Sequence, residues 1–266
     1  MPIVPELHPS TRGFAAADVY ERGRPDYPEA AIARIVEKLG LRPGRTVLDL
    51  AAGTGKLTRL LVPSGANVVA VEPLPEMRAE LEKRVPAVAV LAGTAERIPL
   101  SDRYVDAVTV GSAFHWFDVD RALPEIGRVL APGGGLAMIW NARDERSGLQ
   151  QELSKIMRPL RGHTPERRSR DWRSLLAKSG LFEQTERLLF EHEQVVDEDG
   201  LVARVLSVSF VGALPADARR EIEERVRALA HGAEHPIRLP YMTELYLGLA
   251  ASQLTDGSSG ILETSS

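Results

Sequence analysis

Val47-Leu48-Asp49-Leu50-Ala51-Ala52-Gly53-Thr54-Gly55, followed downstream by Val68-Val69-Ala70-Val71-Glu72, decides the fold of this chain. An apolar run carrying one acid turns on small residues and passes into a helical pattern over 55–62. A second apolar run then closes on another acid. Short apolar runs of this kind suit parallel strands covered on both faces. Working outward, strands are expected at 46–50, 67–72, 87–91, 105–110 and 135–140, with helices at 76–84 and 119–130. Upstream, Pro28 opens a helix whose Ile32, Ile35, Val36 and Leu39 share one face, and Gly40 with Pro43-Gly44 closes it. This alternation gives an α/β, doubly wound sheet with right-handed crossovers and a ligand crevice at the carboxyl ends of the strands.

After Asn141 the pattern changes. Helices are expected at 147–160, 170–179 and 215–231, an alternating strand at 186–195, and an apolar stretch near 243–250. Residues 1–19 are polar and proline-containing and read as an arm. Asp256 to Ser266 is Gly/Ser-rich and reads as disordered.

Composition narrows the function. The 266-residue chain has a net charge of −4 and no cysteine, which excludes disulfides, thiolate metal sites and a cysteine nucleophile. Neither the acidic balance nor any basic face interleaved with aromatics recruits nucleic acid. No apolar run approaches the ~20 residues of a membrane span. With no signal peptide pattern at the N-terminus, the expected location is cytoplasmic. His8, His115, His163, His192, His231 and His235 lack ligand spacing, so no metal is expected.

Three ligands compete for the glycine turn. A phosphate loop needs a glycine where Leu50 stands and a hydroxyl where Leu57 stands. A dinucleotide fingerprint ends on Gly or Ala, whereas Gly53-Thr54-Gly55-Lys56-Leu57-Thr58 ends on branched Thr58, and Asp49 is an unfavourable neighbour for a pyrophosphate. S-adenosylmethionine (SAM) carries no phosphate but an ammonium and a sulfonium, and an acid beside the turn suits both charges.

Asp49-Leu50-Ala51-Ala52-Gly53-Thr54-Gly55 resembles motif I of the class I SAM-dependent methyltransferases, with Ala51 in place of the commoner first glycine. Further matches follow in order. Tyr20 with Arg24-Pro25-Asp26-Tyr27-Pro28 resembles an N-terminal element of one small-molecule subgroup, and Gly93-Thr94-Ala95-Glu96-Arg97-Ile98-Pro99-Leu100 its adenine loop. Ala113-Phe114-His115-Trp116-Phe117 resembles the motif after strand four, and Leu130-Ala131-Pro132-Gly133-Gly134-Gly135 the turn before strand five. Trp140-Asn141-Ala142-Arg143-Asp144 and Leu239-Pro240-Tyr241 extend the match. The nearest group is the methyltransferase type 11 and trans-aconitate methyltransferase-like set. The resemblance implies a Rossmann-like sheet of seven strands, the last antiparallel, with helical cap elements. It divides the chain into an arm and first helix contributing to the SAM site (1–40), a SAM-binding core (41–145), C-terminal strands with a substrate cap (146–254) and a tail (255–266).

Within that frame each candidate has an alternative. Glu72 accepts from two ribose hydroxyls, or is a solvated strand-end acid; Pro73 and Leu74 wall the adenine. Gly53, Thr54 and Gly55 let the backbone approach the ligand, or form a plain strand–helix turn. Ala51 is expected at negative φ, its carbonyl meeting the SAM ammonium. Asp49 acts on that ammonium through water, or caps the turn. Thr94, Ala95 and Glu96 address adenine, although Thr94 stands where the family commonly has an acid and Glu96 also reads as a surface acid. Arg24 suits the methionine carboxylate and Tyr20 the methyl-transfer region, or both merely stiffen the entry to the first helix. Gly111 and Ser112 line the methionine moiety. His115 is the general-base candidate, or shapes the pocket through the backbone. Phe114, His115, Trp116, Asn141 and Arg143 are the substrate contacts. The arginine-dense stretch 158–173 reads first as a solvated face and second as a lid attracting an anion.

The expected activity is SN2 methyl transfer from SAM to O, N, S or C of a small molecule, releasing S-adenosylhomocysteine (SAH). A non-methylating SAM-binding regulator and a nicotinamide-dependent oxidoreductase are the rivals. Natural-product hydroxyls, indole-like carbons and carboxylates all stay open as acceptors, as does oligomeric state.

Overall fold

The computed structural model describes residues 17–166 and 171–250. Its strands are Thr46–Leu50 (β1), Asn67–Val71 (β2), Ala89–Leu91 (β3), Val105–Gly111 (β4), Leu130–Arg143 (β5), Phe182–Val196 (β6) and Ile237–Ala250 (β7). They form one sheet in the order β3-β2-β1-β4-β5-β7-β6. β1 to β5 run parallel, and β7 is antiparallel to both β5 and β6. Strand order reverses between β1 and β4, which opens a crevice at their carboxyl ends.

The helices are Ala17–Gly23 (α1), Glu29–Lys38 (α2), Thr58–Leu61 (α3), Pro75–Arg84 (α4), Val119–Val129 (α5), Gly148–Met157 (α6), Trp172–Lys178 (α7), Glu198–Leu206 (α8), Ser209–Gly212 (α9) and Ala216–His231 (α10). Alternation along β1 sends Leu48 and Leu50 to one face, against Ala122, Leu123 and Ile126 of α5, and Val47 to the other, against Ile32 and Ile35 of α2. A third apolar cluster joins α6, α8 and α10 through Leu153, Val205 and Val226 to Leu239 and Tyr241 of β7. It stands beside the strand ends as a cap. None of the described helices is long and apolar enough to cross a membrane.

Several elements differ from the sequence expectation. The helix after the glycine turn is only α3, because Pro63 tightens its end into a 3-10 turn, Val62–Ser64. β5 begins at Leu130 rather than 135. Its pairing with β4 jumps from Val105↔Leu130 to Ala107↔Gly135, an irregularity that absorbs the three glycines. The apolar stretch at 243–250 is the second half of β7, paired along its length with β5 and β6. α8 was unforeseen: Asp197 caps it by accepting from Gly200 N at 2.8 Å, and that glycine in the first turn disguised the helix. α1 falls partly in the expected arm, the rest of which (1–16) lies outside the described residues, as do 167–170 of the arginine stretch and the whole expected tail.

α1 lies directly on α8. A Cβ on Gly23 would stand 2.2 Å from the Ala203 carbonyl oxygen, so only glycine permits this approach.

Candidate functional site

The turn after β1 is built by its backbone. Ala51 has φ +56° and Gly53 φ +59°, so the negative φ expected for Ala51 is corrected. A left-handed alanine costs about 1–2 kcal/mol, and it is held by the bonds on either side of it. Ala52 N donates to Val71 O at 3.2 Å, and Gly53 N donates to Glu72 Oε2 at 2.9 Å. Leu74 N donates to the other oxygen, Oε1, also at 2.9 Å. Glu72 therefore clasps the ends of β1 and β2. Burial pushes its carboxyl up to about 7, against the two backbone donors that pull it down. Each oxygen keeps a lone pair for a further donor.

Asp49 is fully buried, bonded by Thr58 Oγ1 at 2.6 Å and Thr109 Oγ1 at 3.1 Å. Burial raises it to about 6 despite these bonds. It ties the turn to α3 and β4, while still lining the crevice. Thr58, which breaks the dinucleotide pattern, is thus the anchor of this acid.

Three adjoining cavities share Tyr20 and Ser112 in their walls. One, of about 110 Å³, is mostly apolar and lies between Pro73, Leu74, Met77, Ala95 and Trp116, with Glu72 and Glu96 at its margin. The Thr94 hydroxyl in its wall is buried and has no hydrogen-bond partner among the described residues. A second, of about 50 Å³, lies over Asp49, Ala51, Gly53, Thr54 and Gly111. The third, of about 400 Å³, extends beneath α8 and α9 and is lined by His115, Trp116, Asn141 and Arg143 among others. Ser112 also sits at left-handed φ, +56°, its N–H donating to Ile139 O at 2.8 Å and its hydroxyl 2.9 Å from Tyr27 Oη. Two strained residues, Ala51 and Ser112, thus flank the crevice.

α1 is fastened to the glycine turn by Glu21, which sequence reasoning missed. Thr54 Oγ1 donates to Glu21 Oε2 at 2.6 Å and Arg59 Nη1 to Oε1 at 2.6 Å. Burial would raise this carboxyl, but Thr54, Lys56 and Arg59 together hold it below its ordinary value. Its only sequence signal was its place next to Tyr20. Beyond α1, Arg24 donates to Ser207 O at 3.0 Å and stacks over Tyr20, 5.2 Å from the ring centre. Arg204 on α8, also unforeseen, lines both the small crevice and the large cavity.

Other candidates land differently. Phe114 is corrected as a substrate contact: it is fully buried, edge-on to Trp172 at 5.5 Å, and lines none of the three cavities. Gly55 faces α4, where a Cβ would sit 3.0 Å from Leu81 Cγ. Glu96 accepts from Asp118 N at 3.0 Å at the start of α5. Asn141 spends its side chain on structure, donating to Asp26 O at 3.0 Å and accepting from Thr243 Oγ1 at 2.6 Å. Trp140 Nε1 donates to His115 Nδ1 at 3.3 Å. A neutral ring accepting at Nδ1 carries its proton on Nε2, so the lone pair a base would use is already engaged. That geometry weakens the base reading.

The methyltransferase domain family matches residues 48–138, from β1 through most of β5. An uncharacterized methyltransferase of Mycobacterium tuberculosis is 42% identical over 236 residues, covering 86% of this chain and 91% of the relative. The chain belongs to the class I SAM-dependent methyltransferases. A solved structure from Anaeromyxobacter dehalogenans, assigned as a type II methyltransferase, superposes with a TM-score of 0.64 at 25% identity, covering 86% of this chain and 99% of that one. Over a shorter span, 106 residues, the chain is 42% identical to the demethylmenaquinone methyltransferase of Beutenbergia cavernae, 39% of this chain and 43% of that enzyme. As a member of this family it uses SAM, and the sheet with its antiparallel β7 is the family's architecture.

Proposed function

We propose that this methyltransferase transfers the SAM methyl group to a small molecule seated in the large cavity. The observation that carries the reading is that the three cavities share Tyr20 and Ser112 in their walls. The mostly apolar one suits an adenine, the crevice over the glycine turn an amino-acid moiety, and the large one an acceptor. Bound SAM supplies an electrophilic methyl on its sulfonium. The residues of the chain orient and enclose. Glu72, with a lone pair left on each oxygen, accepts from the ribose hydroxyls. Thr94, whose hydroxyl lacks a partner, meets the adenine edge with Ala95 and Pro73 against the ring. Arg24 faces the methionine carboxylate, and Gly111 and Ser112 border the methionine chain. Tyr20 lies in the wall of all three cavities, and burial pushes its hydroxyl above the ordinary tyrosine value. His115, held by Trp140, borders the acceptor, and Trp116 divides adenine from acceptor. Holding nucleophile and methyl at attack distance can supply about 7–11 kcal/mol. The demethylmenaquinone relative supports a small-molecule acceptor.

Calorimetric titration of SAM and SAH tests this reading. Wild type is expected to bind both in the micromolar range, and Glu72→Ala about a hundredfold more weakly, because two charge-assisted hydrogen bonds are lost. Equal binding by the variant removes Glu72 as the ribose anchor. Binding of NADH in place of SAM, read by fluorescence, overturns the cofactor assignment.

A further inference from the structure

We propose that the large cavity holds its methyl acceptor by an anionic handle, a carboxylate or phosphoryl group, gripped by Arg143 and Arg161 in an arginine cluster that Arg24 and Arg204 share with the cofactor crevice. The inference rests on the methyl-transfer reading of the same site and names the class of acceptor.

Four separate segments deliver these arginines: the residue after α1, the end of β5, the turn after α6, and α8. The cavity wall carries five arginines against two glutamates, Glu145 and Glu166. Both acids are committed. Glu166 pairs with Arg161 at 2.5 Å, while Glu145 accepts from Ser154 Oγ at 3.0 Å and lies 3.7 Å from the fifth arginine, Arg158. Arg24 and Arg204 have only neutral partners: Arg24 donates to Ser207 O, and Arg204 Nε donates to Tyr241 Oη at 2.6 Å. The Arg143 guanidinium has no hydrogen bond or ion pair among the described residues.

The protein leaves this cluster unsatisfied. Nε of Arg24, Arg143 and Arg161 and Nη1 of Arg204 are buried without an acceptor, and Arg204 as a whole is 5% exposed. Arg161 has Glu166 as a counterion, but Arg24, Arg143 and Arg204 have none among the described residues; buried guanidiniums in that state are costly, and these also repel one another. Burial, then Arg204, pulls Arg143 down to about 10, which still leaves it charged at neutral pH. An anion entering the cavity supplies the missing counterion, and planar guanidinium forks match carboxylate and phosphate oxygens. A cavity of about 400 Å³ is in the size range of small-molecule sites. Arg24 and Arg204 border the cofactor crevice as well, whereas Arg143 and Arg161 line the large cavity alone. The handle therefore belongs to Arg143 and Arg161, with the other two closing the ring.

The test is calorimetry on SAH-saturated protein with glutarate, its neutral isostere glutaramide, and inorganic phosphate. Glutarate or phosphate is expected to bind, glutaramide to fail, and Arg143→Gln to weaken the anion about tenfold or more while SAH affinity stays within about twofold. Arg161→Gln is the second variant and should act in the same direction. The stronger of the two anions tells a carboxylate handle from a phosphoryl one. Equal binding of glutaramide, no anion binding beside normal SAH binding, or anion affinity indifferent to both variants overturns the assignment. The same titrations on ligand-free protein separate the two readings: anion binding without SAH binding sinks methyl transfer and leaves the anion cavity standing.

Discussion

At the carboxyl ends of β1 and β2 the crevice wall is acidic, with Asp49 and Glu72 buried behind the glycine turn and Glu21 on α1 beside it. Across Tyr20, beneath α8 and α9, the wall is basic. The two regions also differ in how they are stabilised. Every acid on the first side is hydrogen-bonded by its own fold, whereas the arginines on the second keep orphaned N–H groups. On the proposed reading, the pocket for the cation-bearing ligand is a finished scaffold, and its neighbour one completed by what it binds.

The contrast is broken most severely by lifting α1, which touches both sides. Gly23→Ala places a methyl group against the Ala203 carbonyl and forces α1 off α8. A cost of about 1–3 kcal/mol is expected, read as a lowered midpoint in thermal or urea unfolding. SAM affinity should fall in parallel, because Glu21 moves with α1. Intact SAM binding in a destabilised variant would detach α1 from the cofactor side.

A smaller effect sharpens the acidic side. Glu72 sits at about 7 against an ordinary 4.5, and Asp49 at about 6 against 3.8. Raised acids hold protons in the folded protein that the unfolded chain has released. Their neutral forms are fully favourable below about pH 4, and that contribution is lost as pH rises through about 7. A cationic ligand prefers both acids ionised. The thermal shift produced by SAM is therefore expected to be larger at pH 8 than at pH 5.5, by a few-fold in affinity. An equal shift at both pH values would mean that neither acid feels the ligand. The anions of the basic side should show no such rise.

The smallest effect concerns strain. Ala51→Gly relieves the left-handed alanine but frees the unfolded chain, leaving a net gain of about 0.5 kcal/mol and a rise of ~1–2 °C in scanning calorimetry. A fall would show that the Ala51 methyl group packs usefully.

The two sides were not equally legible. Asp49, Gly53 and Glu72 lie within 24 residues of one another, and the local order strand, turn, helix, strand encodes their meeting. The same locality made the parallel sheet readable from its short apolar runs. Arg24, Arg143, Arg161 and Arg204 converge from segments spread over 181 positions (204 − 24 + 1), and no periodicity links them. Arginine density at 158–173 drew attention to a segment that supplies Arg158 and Arg161 to the large cavity, yet Arg204 was hidden in a helix that Gly200 disguised. Phe114 misled for a related reason: its motif belongs beside the crevice, but one aromatic of the run turns inward to fill the core against Trp172. Ala51 was misjudged because residue type sets the intrinsic preference of a backbone, while Glu72 and Val71 dictate what this turn must adopt.

The division of labour among the four arginines has an evolutionary consequence. Arg24 and Arg204 border both the crevice and the large cavity, so on the proposed reading replacing either disturbs the cofactor along with the acceptor. Arg143 and Arg161 border only the large cavity. A lineage descending from this protein can exchange those two positions and the cap around them to acquire a new acceptor, while selection on the shared pair keeps the cofactor unchanged.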